Sequence, residues 1–172
     1  SLCMKTVCFI RHAKSSWDQA GLSDIDRHLN IRGKTTAPIM AKILADKDIT
    51  PDLIISSPAK RARQTAKAFR KQYGMSKSDT QFEPSIYGGD EQNIFDILRK
   101  VDNSRETVFV FGHNPTMNYL AALFSEDHIH VPTCGIMVVK LNITDWKSLQ
   151  PDHKGLQEFI YPKQYIPEEG ED

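Results

Sequence analysis

The chain has little cysteine, no excess charge of either sign and no long apolar run, and each shortage removes a class of protein. Cys3, Cys8 and Cys134 are the only cysteines among 172 residues and cannot all pair with one another. Cys8 falls inside an apolar run where a small side chain packs well, so reduced thiols and a cytoplasmic location are expected. Lys+Arg and Asp+Glu each total 22, which leaves no global field to draw the chain to nucleic acid or to a membrane surface. No stretch reaches the apolar length of a membrane span, and the N-terminus lacks a basic region followed by an apolar core and a cleavage site. Ser1-Leu2-Cys3 ahead of Met4 reads equally as native sequence or as a cloning remnant. The carboxylates form no magnesium or zinc cage and His128-x-His130 is a poor metal signature, so neither metal nor cofactor is expected. With no repeat, low-complexity tract or linker, residues 1–172 read as one domain with a core at about 4–161 and an acidic tail at 168–172.

What is present is organised around Thr6-Val7-Cys8-Phe9-Ile10-Arg11-His12, an apolar run that stops at an arginine and a histidine. Such a run is a strand covered on both faces, as in a parallel sheet with helices above and below. Leu53-Ile54-Ile55 before Ser56-Ser57-Pro58, and Thr107 to Phe111 before Gly112-His113-Asn114-Pro115, repeat the pattern. Each is followed by a helix signal: Ser57 or Asn114 as cap, Pro58 or Pro115 as first helical residue. The apolar stripes are Ala62, Ala66, Phe69 and Tyr73 in one helix and Met117, Leu120, Ala121 and Phe124 in the other. Ala37, Met40, Ala41 and Leu44 mark a helix after Gly33, kinked or begun at Pro38, and Ile94, Ile97, Leu98 and Val101 mark another. Trp17 to Asn30 reads as a loop over the sheet edge, Gln81-Phe82-Glu83 as a short strand, and Ile136–Leu141 with Gly155–Tyr161 as a hairpin-like pair at the edge. The fold class is α/β, a three-layer α/β/α sandwich around a mostly parallel sheet.

Parallel strands put Arg11 with His12, Arg61, and His113 on one edge of the sheet, beside helix N-termini whose free amides attract anions. Guanidiniums and imidazoles gathered there describe a phosphate site. Taken singly, each residue has a plainer reading: His12 as a hydrogen-bonded histidine at a strand end, Arg61 as part of the solvated basic face of Lys60 and Arg63, His113 as a loop-satisfying group. Their co-occurrence favours chemistry.

Arg11-His12-Ala13-Lys14-Ser15, Ser57-Pro58-Ala59-Lys60-Arg61-Ala62 with Gln64-Thr65, and Gly112-His113-Asn114-Pro115 resemble the signatures of the histidine phosphatase superfamily, also called the phosphoglycerate mutase-like fold. The short length, together with Asp26-Arg27-His28-Leu29 before Arg32-Gly33, most resembles the SixA-type phosphohistidine phosphatases. The resemblance implies that His12 attacks phosphorus to form a phosphohistidine while Arg11, Arg61 and His113 hold the phosphoryl oxygens. Arg27, Lys14 and Ser15 are candidate further substrate contacts, and Glu83 or Asp18 candidate general acids. A neutral imidazole suits the nucleophile, and fixed cationic donors suit a group whose charge is spread over its oxygens. An imidazole leaving group needs a general acid less than an alkoxide does, because it can be protonated on its other nitrogen. The implied activity is that of a phosphatase on a phosphorylated protein, with small phosphorylated metabolites, or binding of phosphate without turnover, as alternatives.

Overall fold

A computed structural model describes residues 4–17 and 21–167. Asp18 and the acidic tail 168–172 lie outside the described residues. Six strands form one sheet: β1 (Lys5–Arg11), β2 (Leu53–Ser56), β3 (Thr80–Phe82), β4 (Thr107–Gly112), β5 (Ile136–Leu141) and β6 (Leu156–Ile160), in the order β3-β2-β4-β1-β5-β6. β1, β2, β3 and β4 run parallel, and β5 pairs antiparallel with both β1 and β6.

The alternation of side chains along each buried strand assigns the two faces. Cys8, Ile10, Ile54, Phe109 and Phe111 point to one side, where they meet Ala37, Met40, Ala41 and Leu44 of α1 (Ile31–Asp46) and Ala66 and Phe69 of α2 (Lys60–Gln72). Val7, Phe9, Ile55, Val108 and Val110 point to the other, against Ile94, Phe95 and Leu98 of α3 (Glu91–Arg99) and Met117, Leu120, Ala121 and Phe124 of α4 (Thr116–Phe124). Trp146 closes this second core, fully buried, with its indole N–H donating to the Arg105 carbonyl at 2.7 Å. The result is the expected three-layer sandwich. No helix among the described residues is long and apolar enough to cross a membrane.

Three helix starts depart from expectation, for related reasons. α1 begins at Ile31, ahead of Pro38, because Asn30 caps it by accepting from the Gly33 amide at 2.8 Å; Pro38 sits on the exposed side, where the carbonyl its missing N–H leaves unpaired does not face the core. α2 begins at Lys60, so Ser57 and Pro58 form a turn ahead of it and Ala59 takes the cap position. α4 begins at Thr116, after a cis Asn114–Pro115 peptide, with Pro115 as cap. Ser57 and Asn114 still accept from the Ala59 and Asn118 amides, at 3.1 and 3.2 Å, and each also holds a distant partner: Ser57 the His113 ring, and Asn114, through its amide nitrogen, the Val131 carbonyl at 2.8 Å.

Candidate functional site

The register of the parallel strands fixes the site. Ile10 and Ser56 both pair with Phe111, and Arg11 pairs with Gly112, so β1, β2 and β4 end at the same level. Ladder-like bonds carry one step further, from the His12 amide to the Gly112 carbonyl and from the Ser57 amide to the Phe111 carbonyl, each 3.0 Å. The residues that follow therefore leave the sheet side by side. His12 and His113 end with ring centroids 5.3 Å apart. Arg61, in the first turn of α2, is held beside them because Thr65 one turn on accepts from the Ala13 amide at 3.0 Å and donates to the Arg61 carbonyl at 2.8 Å.

His12 is 6 % exposed, and its Nδ1 lies 2.7 Å from the Ala13 carbonyl. A carbonyl only accepts, so Nδ1 carries the proton and Nε2 keeps its lone pair in the neutral ring. Burial first, then the charges of His113, Arg11 and Arg61, hold the imidazole neutral, lowering its pKa from an ordinary 6.5 to about 3. Burial, followed by Arg61, lowers His113 to about 4. The Ser57 hydroxyl accepts from the Ala59 amide at 3.1 Å and lies 2.7 Å from His113 Nε2, so with its own proton turned to that nitrogen the His113 proton sits on Nδ1. His113 Nδ1 and Arg61 Nε are buried without a hydrogen-bond partner. A buried donor left this way costs about 1–3 kcal/mol, which an oxyanion accepting from it would offset.

Both buried imidazoles make stability depend on pH. Each binds a proton near 6.5 when unfolded and resists it when folded, so the unfolded state binds more protons and stability falls as pH drops below about 6.5. At about 1.4 kcal/mol per unit, roughly 2 kcal/mol per histidine is lost between pH 6.5 and 5. Urea unfolding at pH 7 and pH 5 is expected to give this difference, and a variant lacking one of the two histidines about half of it.

The loop over the edge completes the site. The Asn30 amide donates to the Lys14 carbonyl at 3.0 Å, and a Cβ at Gly33 would lie 2.1 Å from that same oxygen, so only glycine lets α1 pack this closely on the loop. Gln64 accepts from the Leu29 amide at 2.8 Å, tying the loop to α2. Arg27 then reaches Ser15 Oγ at 2.6 Å, and its guanidinium lies 3.5 Å over the Trp17 ring. Arg11, His12, Lys14, Ser15, Arg27 and Thr133 line a cleft of about 290 Å³.

Of the residues singled out from sequence, Arg11, His12, Lys14, Ser15, Arg27, Arg61 and His113 thus share one end of the sheet. Glu83 starts there, its amide donating to the Ser56 carbonyl at 3.0 Å, but its carboxylate accepts from Gln81 at 2.5 Å and lines a different cavity, bounded by α3. Two residues the sequence did not single out join the site. Asp24 accepts from Arg27 Nε at 3.0 Å through one oxygen, and from Arg61 at 3.1 Å and the Tyr87 hydroxyl at 2.7 Å through the other. Its backbone carbonyl also accepts from Arg61 at 2.7 Å. Tyr87 in turn sets its ring edge-on to His113, centroids 5.8 Å apart. Asp24 is one of several turn-forming aspartates and Tyr87 lies in an irregular segment, so no local pattern marks either. Among the described residues no three His, Cys, Asp or Glu side chains are grouped to hold a metal.

Residues 7–84 match the histidine phosphatase superfamily (branch 1). The crystal structure of the candidate phosphohistidine phosphatase SixA from Agrobacterium tumefaciens is 32% identical, with a TM-score of 0.75 over 92% of this chain and 99% of that one. The chain belongs to the histidine phosphatase superfamily. Within the superfamily it is of the SixA type, and it is a phosphatase. A protein histidine phosphatase SixA solved with tungstate has the same fold, with a TM-score of 0.75 over 92% of this chain and 98% of that one at 23% identity. An uncharacterised chloroplast protein of Arabidopsis thaliana is 30% identical over 151 residues, which are 83% of this chain and 69% of that protein.

Proposed function

We propose that this histidine phosphatase removes phosphate from phosphohistidine on a protein, through a phosphohistidine formed on His12. The observation that carries the reading is His12 itself: a buried, neutral imidazole whose Nδ1–H is fixed on the Ala13 carbonyl and whose free Nε2 is flanked by His113, Arg11 and Arg61. In this reading Nε2 attacks phosphorus, the bond to the substrate nitrogen breaks, and water then releases phosphate from His12. Arg11, Arg61 and His113 Nδ1 hold the equatorial oxygens, supplying by position the charge stabilisation that phosphoryl transfer needs, so the scheme calls for no metal. Arg27, Lys14 and Ser15 hold the mouth of the cleft.

An N–P substrate is favoured over a monoester because, among the described residues, neither carboxylate placed near the edge is a good proton donor. Glu83 is turned to Gln81. Asp24 is held ionised by the Tyr87 hydroxyl and the Arg27 and Arg61 guanidiniums, its pKa far below the usual carboxylate range. An alkoxide leaving group needs a donor, whereas an imidazole already protonated on its distal nitrogen does not. Steady-state kinetics on a phosphohistidine protein, phosphoramidate and alkyl phosphate monoesters tests this. The N–P compounds are expected to lead in kcat/KM by about 100-fold, or about 2.7 kcal/mol of transition-state binding; a preference for the monoesters would overturn the reading.

A further inference from the structure

The geometry points to Asp24 as the acceptor for the distal N–H of a substrate imidazole, making it a specificity-determining residue for phosphorus bound to a nitrogen heterocycle. This rests on the phosphohistidine reading. Its first support is depth. His12 and Arg61 are 6 % and 5 % exposed, whereas the Asp24 side chain, bonded to Arg61, is 50 % exposed. Asp24 therefore stands on the solvent side of the cup. In-line transfer to a buried nucleophile sends the leaving group the opposite way, toward the solvent side on which this carboxylate stands.

The second support is the fixing of the carboxylate. Arg27, Arg61 and Tyr87 donate to it from three separate segments, and the neighbouring Asp26 is turned away, accepting from Ser23 Oγ at 2.7 Å. A carboxylate has about four acceptor sites, so three donors leave room for one more, in a direction the other three set. The charged and titratable groups that face it are the two guanidiniums, the neutral Tyr87 hydroxyl and the His113 ring, and the guanidiniums and the hydroxyl keep it anionic, which suits it to a cationic partner rather than to proton donation.

The third support is chemical symmetry about phosphorus. His12 presents Nε2 to phosphorus while its distal Nδ1–H rests on the Ala13 carbonyl. The substrate imidazole, bound to phosphorus through one nitrogen, presents its distal N–H to Asp24. The His12 lone pair forms the new N–P bond, and the electron pair of the old one returns to the substrate nitrogen. The distal nitrogen keeps its proton throughout, so a phosphoimidazolium departs as neutral imidazole and no general acid is consumed. The carboxylate favours the reactive, protonated substrate.

The test is Asp24→Asn, which keeps one oxygen, enough for Arg61 and Tyr87 with the new NH2 turned to the Arg27 side, and removes the charge. Three substrates are compared: a phosphohistidine peptide, phosphoramidate and an aryl phosphate whose leaving group needs no protonation. The expected result is a loss in kcat on the peptide about 10- to 100-fold greater than whatever loss the two other substrates share through Arg61 and Arg27, the size of one hydrogen bond to a charged group. The basic limb of the peptide's pH–kcat profile should also move down by about one unit, because the variant no longer stabilises the imidazolium. An equal loss on all three substrates with an unmoved limb overturns the role of Asp24 alone, leaving it as a support for Arg61. Wild-type enzyme that hydrolyses the aryl phosphate but not the peptide overturns the phosphohistidine reading, and this inference with it.

Discussion

His12→Ala is expected to lower turnover by on the order of 10⁴-fold or more and to abolish covalent labelling by a phosphodonor. The size follows from what the ring does in the proposed scheme. It splits one displacement into two, and without it water must attack a phosphoryl group directly, from a space shaped for an imidazole. The surrounding cup persists, because the local backbone is held independently of the ring: the His12 amide bonds to Gly112, and the Cys134 amide bonds to the Arg11 and His12 carbonyls. Phosphate binding should therefore survive in the variant while chemistry does not. Quench-flow with radiolabelled donor, beside an isothermal titration with inorganic phosphate, separates the two. Residual turnover within about tenfold of wild type would reject His12 as nucleophile.

Much of this architecture is written in runs that are apolar on both faces. Val7 to Ile10, Leu53 to Ile55 and Val108 to Phe111 have no polar face to turn to water, so only a covered sheet accommodates them, and the polar residue ending each run then falls at the carboxyl edge. The helix starts were less legible, because Ser57 and Asn114 each serve a nearby amide and a tertiary partner at once, and the helices begin beyond them. Ser57 faces His113, fifty-six positions away, and Asn114 spans from the Asn118 amide to the Val131 carbonyl. Local propensity weighs only the nearby amides, while the fold supplies a second partner from a distant segment. Glu83 illustrates the limit of reading direction from position: its backbone reaches the β2 edge, yet one bond to Gln81 points the carboxylate elsewhere. Asp24 and Tyr87 meet only because the loop before α1 and the turn before α3 fold over the same arginine.

Arg61→Ala should cost on the order of 10³-fold in kcat/KM while changing stability by no more than about 1 kcal/mol, and the contrast between those effects is the informative part. Arg61 is 5 % exposed, so burial of its guanidinium carries a desolvation cost that its bonds to the Asp24 carbonyl and carboxylate largely offset. Removing it relieves the one and loses the other. Asp24, half exposed, keeps Arg27 and Tyr87 as partners and is not stranded. Catalysis has no such compensation, because the charge that develops on the transferring oxygens then lacks a fixed donor in a site shielded from water. Arg61→Lys sharpens the argument. It restores the charge but not the planar fork that can span Asp24 and an oxyanion together, so it should recover only about a tenth of the lost activity. Urea unfolding and kcat/KM measured on the same three proteins decide it. A lysine variant with wild-type activity would mean that charge alone is needed, and an alanine variant that barely folds would mean that Arg61 serves the fold before it serves the site.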